Sequence, residues 1–284
     1  MENILEVRNL TKKYKDVGIE NITFNVPKGS IVGFIGRNGA GKTTTIKTIL
    51  DISKKDSGEV VILGDSELTI ETKNNIGVVF DGDTFPEILN IIKLNKILKN
   101  IYKNWNEEVF FKYVEKLDLP TNKKLKQFSK GMKTKLSIIV SLSYNAKLLI
   151  LDEPTSGLDP VVRDEILDIF LDFMQDENKG ILVSSHITSD LEKVADYIVF
   201  IDKGKVIFFE SKDKIIYEYG ILKCSEDDLD KIDKGCILKK IKKGYGYDAI
   251  VNNKEEIKQQ YPNLVIDNCT IDELMVIYTK GDNL

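Results

Sequence analysis

Short runs rich in isoleucine and valine alternate along this chain with longer stretches in which apolar residues recur at steps of three and four. The runs fall at residues 31–35, 76–80, 148–151, 181–184 and 198–201. Runs of strand length with almost no polar break predict strands buried on both faces. Strand and helix in repeated alternation predict an α/β fold with a mainly parallel sheet covered on both sides. Residues 4–7 and 22–26 alternate apolar with polar instead, and Lys28-Gly29-Ser30 follows as a turn. That is the pattern of an antiparallel β edge on the main sheet.

From Phe85 to Tyr144 no clear strand is visible, while Ile88, Ile91, Ile92, Leu98, Ile101, Tyr102 and Trp105 keep helical spacing. This predicts a helical insert over about 85–145. After Glu210 the chain turns rich in Asp and Lys, and Ser211-Lys212-Asp213-Lys214 reads as a boundary. The expected organisation is a main domain over 1–212 and a small α+β C-terminal lobe over 213–284. Within that lobe, residues 237–241 and 247–251 flank Lys243-Gly244-Tyr245-Gly246 in the manner of a hairpin. Leu274, Met275, Ile277 and Tyr278 are spaced as one face of a terminal helix, which either belongs to a separable lobe or docks back on the core.

The chain has 284 residues, 42% apolar and 30% charged, a globular composition able to bury its own core. Lys and Arg number 41 against 45 Asp and Glu, a net charge of −4. That balance argues against a protein whose main task is gripping nucleic-acid phosphates. Cys224, Cys236 and Cys269 lie far apart with no flanking histidine, which argues against zinc and disulfide frameworks. The start, Met1-Glu2-Asn3-Ile4-Leu5-Glu6, lacks the basic and apolar regions of a secretory signal, so a cytoplasmic location is expected. The most apolar stretch, 136–151, is broken by Ser137, Ser141, Ser143, Asn145 and Lys147. It falls short of the roughly 20 apolar residues of a spanning helix, so work at a membrane is expected to run through a partner.

The strongest chemical signal is Gly36-Arg37-Asn38-Gly39-Ala40-Gly41-Lys42-Thr43, set between an apolar strand and a helical stretch that opens with Thr44. Glycines let backbone N–H groups curl around a phosphate without a Cβ in the way, and the following helix presents its positive end. The pattern arises by chance in roughly 2% of such chains, and the strand and helix around it make chance much rarer. Lys42 is expected to bridge the β- and γ-phosphates and Thr43 to ligate magnesium. A second motif, Leu148-Leu149-Ile150-Leu151-Asp152-Glu153, ends a buried strand in two acids, where α/β folds place ligands. Asp152 is expected to hold magnesium and Glu153 to accept the proton of an attacking water. The plain alternative is that the two acids only cap the next helix.

Between and after these motifs stand Ser129-Lys130-Gly131-Met132, Ser156-Gly157-Leu158-Asp159 and a solitary His186. In this order the motifs resemble those of the ATP-binding-cassette (ABC) ATPases, over about residues 1–212. The resemblance implies that Ser129 and Gly131 present a hydroxyl and N–H groups to the γ-phosphate of ATP held by an opposing subunit. It implies that His186 orients the attacking water, that Asp159 couples the two sites, and that Tyr14 stacks on adenine. The plain readings are a core histidine, an ordinary helix start at Asp159, and a tyrosine packed on its own sheet. Two positions depart from the family. Asp81 stands where glutamine is usual, and still implies a magnesium ligand but with an added negative charge. Ser-Lys-Gly-Met stands where Ser-Gly-Gly-Gln is commoner.

The resemblance thus implies an ATP-binding and ATP-hydrolysing transporter subunit with ATP and magnesium as cofactors. Its partners would be a second ABC subunit, identical or different, and separate membrane-spanning subunits, with this chain peripheral on the inner face of the cell membrane, in the manner of exporters. Their short coupling helix would enter near Asp81, Thr84, Phe85 and Glu87. The alternative is an ABC-type ATPase acting on ribosomes or DNA, against which stand the single cassette and the lack of a long heptad run. Another P-loop kinase or GTPase would leave the Ser-x-Gly signature without a task.

Overall fold

The computed structural model describes residues 2–14, 18–82, 84–229, 231–244 and 246–282. β1 (Asn3–Lys13) and β2 (Gly18–Pro27) pair antiparallel, β3 (Ser30–Ile35) leads through the glycine loop into α1 (Lys42–Ile49), and β4 (Ser57–Ile62) returns beside β1. A single turn, α2 (Ile70–Lys73), precedes β5 (Ile76–Val79). The helical insert follows as α3 (Ile91–Ile101), α4 (Glu107–Lys116) and α5 (Lys130–Leu142). β6 (Leu148–Asp152), α6 (Pro160–Phe173), β7 (Gly180–Ser185), α7 (Thr188–Val194), β8 (Tyr197–Asp202) and β9 (Lys205–Ser211) complete the strands of the main sheet with their connecting helices. Beyond it lie α8 (Lys212–Tyr217), β10 (Gly220–Cys224), α9 (Glu226–Leu229), β11 (Ile237–Lys243), β12 (Gly246–Val251), α10 (Lys254–Gln260), β13 (Val265–Asn268) and α11 (Ile271–Lys280).

The main sheet runs β5-β6-β7-β3-β8-β9, parallel except for the β8–β9 hairpin. Its central strands are buried along their whole length, which is why they read as unbroken apolar runs. β1, β2 and β4 form a separate sheet rather than extra strands on the main one. Ile4, Leu5, Ile22 and Val26 pack with Val32, Phe34, Ile150 and Leu182, so the small sheet covers a face of the large one.

In the insert, Asn90 and Asn106 cap α3 and α4 by accepting backbone N–H groups, fixing where the helices start. Ile91 and Leu98 are buried as expected, whereas Ile88, Ile92 and Ile101 face solvent. Tyr102 stacks on Tyr144 at 4.1 Å, and the Tyr144 hydroxyl donates to Ile76 O at 2.9 Å, tying the insert to β5. Burial pushes the Tyr144 phenol up.

The C-terminal segment has its own antiparallel sheet, β11-β12-β10-β13, and its own cluster around Leu222, Leu229, Val251 and Ile257. The hairpin strands stand as expected, though Tyr245 in its turn lies outside the described residues. The segment also shares the main core. Ile215, Ile221, Leu274 and Ile277 pack in one cluster with Leu191, Ile198 and Phe200, and Tyr278 meets Phe208 ring to ring at 5.3 Å. Thr188 Oγ1 donates to Asp272 at 2.7 Å, and Ile271 N donates to Glu192 at 3.2 Å, so α11 is fastened to α7. Of the two outcomes open for the terminal helix, the structure has the docked one. Leu274→Ala should therefore destabilise the whole chain by about 2–5 kcal/mol. Urea unfolding will show a shifted midpoint for the main transition; a loss confined to a separate early transition would show that the lobe folds apart.

Candidate functional site

β3 ends at Ile35, and the chain turns through the glycine loop into α1. Gly36 has no room for a side chain, because a Cβ there would stand 2.5 Å from Ile201 O. Gly39 and Gly41 adopt φ of 80° and 113°, a region that side chains oppose. Such a loop at a helix N-terminus is a site for phosphate. The β8–β9 turn braces it: Gly204 N donates to Ala40 O at 2.9 Å, and Glu20 N donates to Gly204 O at 2.8 Å.

The ammonium of Lys42 is buried and donates to Gly36 O at 2.6 Å, with Glu153 Oε1 at 3.0 Å as its counter-ion. A charge taken out of water needs such an anion. Asp152, also buried, accepts hydrogen bonds from Thr43 Oγ1 at 2.7 Å and Ser184 Oγ at 2.6 Å. β6 and β7 place Asp152 and Ser184 directly opposite each other. Ser184 also receives Glu153 N, at 3.0 Å from its Oγ, so one serine positions both acids. Glu153 adopts φ of 52°, an unfavourable backbone for a non-glycine residue and a recurrent mark of functional positions. His186 Nδ1 lies 2.6 Å from Glu153 Oε2, so the histidine at the end of β7 meets the acid at the end of β6. The two acids do not act as helix caps: Asp159 caps α6, accepting from Val161 N and Val162 N at 3.1 Å.

Thr43 and Asp152 supply hard oxygen donors side by side, the chemistry magnesium prefers. Among the described residues no group of three or more His, Cys, Asp or Glu side chains could enclose a metal. The donor set suits an ion whose remaining ligands are water and phosphate oxygens.

Arg37, Asn38, Gly39, Gly41, Lys42, Thr43, Thr44 and Glu153 line a cleft of about 310 Å³. It adjoins, through Gly18 and Gly39, a hollow of about 500 Å³ lined by Lys13, Tyr14, Ile19, Lys203 and Gly204. Tyr14 is half-exposed there, its hydroxyl 2.7 Å from Ser53 Oγ. Ser129 caps α5, accepting from Met132 N at 3.2 Å, and Gly131 faces Leu158 and Val162. Asp81 pairs with Lys130 Nζ at 2.9 Å. Among the described residues no hydrogen bond or ion pair joins Ser129, Gly131, Asp159 or Asp81 to Lys42, Thr43 or Asp152. Thus the structure gathers Lys42, Thr43, Asp152, Glu153 and His186 in one cluster, and gathers the signature, Asp81 and Asp159 elements in another. The sequence pattern carries no signal for the contacts that Ser184 makes with both acids or that Gly204 makes with the loop.

The ABC transporter family profile matches residues 19–156. A lantibiotic transport ATP-binding protein, SrtF of Streptococcus pyogenes, is 36% identical over 213 residues, covering 74% of this chain and 92% of that protein. A bacitracin transport ATP-binding protein, BcrA of Bacillus licheniformis, is 36% identical over 214 residues, covering 73% of this chain and 69% of that one. A solved ATP binding subunit of an ABC transporter superposes with a TM-score of 0.67 at 28% identity, covering 75% of this chain and 91% of its own.

Ser184→Ala should leave ATP affinity nearly unchanged while lowering kcat about tenfold, because both acids lose their common anchor. Steady-state kinetics together with an ATP titration will separate the two quantities; a fall in affinity alone would contradict the positioning role. Lys42→Ala should weaken ATP binding itself, through loss of the cation at the phosphates.

Proposed function

The chain belongs to the ATP-binding subunits of ABC transporters, which bind and hydrolyse ATP, and from that premise we propose how its residues divide the work. The glycine loop and Thr44 hold the phosphates, Tyr14 covers the adenine, and Lys42 exchanges Glu153 for the β- and γ-phosphates. Thr43 and Asp152 hold magnesium, which neutralises phosphate charge when bound. Glu153, released from Lys42, accepts a proton from the attacking water, and His186 beside it holds that water in line. The observation that carries this reading is the shared contact of Glu153 with both Lys42 and His186.

The signature residues Ser129 and Gly131 make no hydrogen bond or ion pair with their own chain's Lys42, Thr43 or Asp152. This supports a dimer in which each copy offers the N-terminus of α5 to ATP on the other, with Asp159 between the sites. Asp81 makes its ion pair with Lys130, and this proposal gives the magnesium to Thr43 and Asp152.

No helix among the described residues is long and apolar enough to cross a membrane. In this proposal the dimer works on the cytoplasmic face against separate spanning subunits, whose coupling helix enters near Asp81, Thr84, Phe85 and Glu87, close in the chain to the exposed Ile88. Export is the direction we favour, since relatives are named for lantibiotic and bacitracin transport. The division into residues 1–212 as motor and 213–284 as an accessory lobe is part of this proposal.

Glu153→Gln should slow hydrolysis by about 10²–10⁴-fold while leaving ATP bound. Size-exclusion chromatography with ATP and magnesium should then show a stable dimer. A mutant that stays monomeric at saturating ATP and hydrolyses at the wild-type rate would overturn both the role and the dimer.

A further inference from the structure

Asp81 and Lys130 hold each other at 2.9 Å, about half-exposed on both sides. Asp81 stands just after β5, ahead of the insert, and Lys130 stands in the first turn of α5, the insert's last helix. A cation at a helix N-terminus is opposed by the helix dipole, and the Asp81 carboxylate offsets that. Lys130 also reaches the turn before α6: a Cβ on Gly157 would stand 3.6 Å from its Nζ. The loop after β5 runs on along α5, with Thr84 3.3 Å from Ser137 and Glu87 paired with Lys133 at 3.2 Å. Lys130 thus sits where the insert, the loop after β5 and the Asp159 turn converge.

We propose that Asp81 is a guard on Lys130: the pair closes within one chain and opens when the terminal phosphate of ATP on a second copy takes the ammonium. This rests on the dimer reading above. A phosphate carries more charge than a carboxylate and competes well for an ammonium. A half-exposed pair is weak enough to be exchanged. The exchange makes ATP-driven closure conditional on breaking an internal contact, so Asp81 is a positioning residue that sets how much ATP closure needs.

The test is a double-mutant cycle in the Glu153→Gln protein at low salt, reading the ATP concentration for half-maximal dimer by light scattering. Asp81→Asn should lower that concentration about two- to fivefold. Lys130→Ala should raise it, and adding Asp81→Asn to Lys130→Ala should change nothing further. Both side chains are half-exposed, so the variants should keep the parent's urea midpoint within the small effect of a surface pair. An Asp81→Asn effect of equal size with and without Lys130 would overturn the proposal, because the carboxylate would then act on the nucleotide or its metal directly. A Glu153→Gln protein that binds ATP yet stays monomeric would overturn the dimer reading and the guard with it. Dimerisation without coupling between the two positions would overturn the guard alone.

Discussion

A buried ammonium must have an anion, and the arrangement around Lys42 follows from that requirement. The glycine loop closes over the lysine, so its charge cannot be left to water. Within the chain the counter-ion is Glu153, which is also the residue suited to take a proton from water. In the proposed reading one lysine links binding to chemistry: phosphate at Lys42 would displace Glu153, whose carboxylate already stands beside His186. The unfavourable backbone of Glu153 persists because Ser184 holds it through its amide while Lys42 and His186 hold its side chain.

The same logic recurs at the start of α5. Lys130 lies at the positive end of α5 and is neutralised by Asp81. The first pair is buried and so strongly constrained, while the second is half-exposed and easily exchanged. Between them runs the covalent path from β5 through the insert to β6. The aromatic stack of Tyr102 on Tyr144, bonded to Ile76 O, makes that path stiff near the sheet. At the far end α11 is fastened to α7, the helix that follows His186, which brings the C-terminal segment within one helix of the chemistry.

Much of this was legible in the sequence where burial forces a simple pattern. The central strands β3, β6 and β7 are buried on both faces, so they could only be apolar runs. β4 and β9 escaped notice because Ser57-Gly58-Glu59 opens one and the other is only partly buried along its length. The glycine loop and the Asp152-Glu153 pair stood out because each ends an apolar strand, whereas His186 stood out only through the family resemblance; the structure brings them together. Ser184 left one faint signal, a buried hydroxyl beside Ser185 at the end of an apolar run, and its meaning depends on the register that sets it opposite Asp152. The Asp81–Lys130 pair was invisible, since a charge exposed on a loop and a charge on a helix say nothing of each other until the chain folds. Ile88, Ile92 and Ile101 kept helical spacing yet face solvent, because spacing reports a stripe and not what covers it.

The central claim is that phosphate replaces Glu153 at Lys42. A crystal structure of the wild-type protein with magnesium and a non-hydrolysable ATP analogue tests it most directly. The account predicts Lys42 Nζ bonded to phosphate oxygens, Glu153 turned away from Lys42 toward a water held with His186, and the α5 N-terminus of a second copy against the terminal phosphate. An analogue bound with the Lys42–Glu153 pair intact, or bound away from the glycine loop, would contradict it.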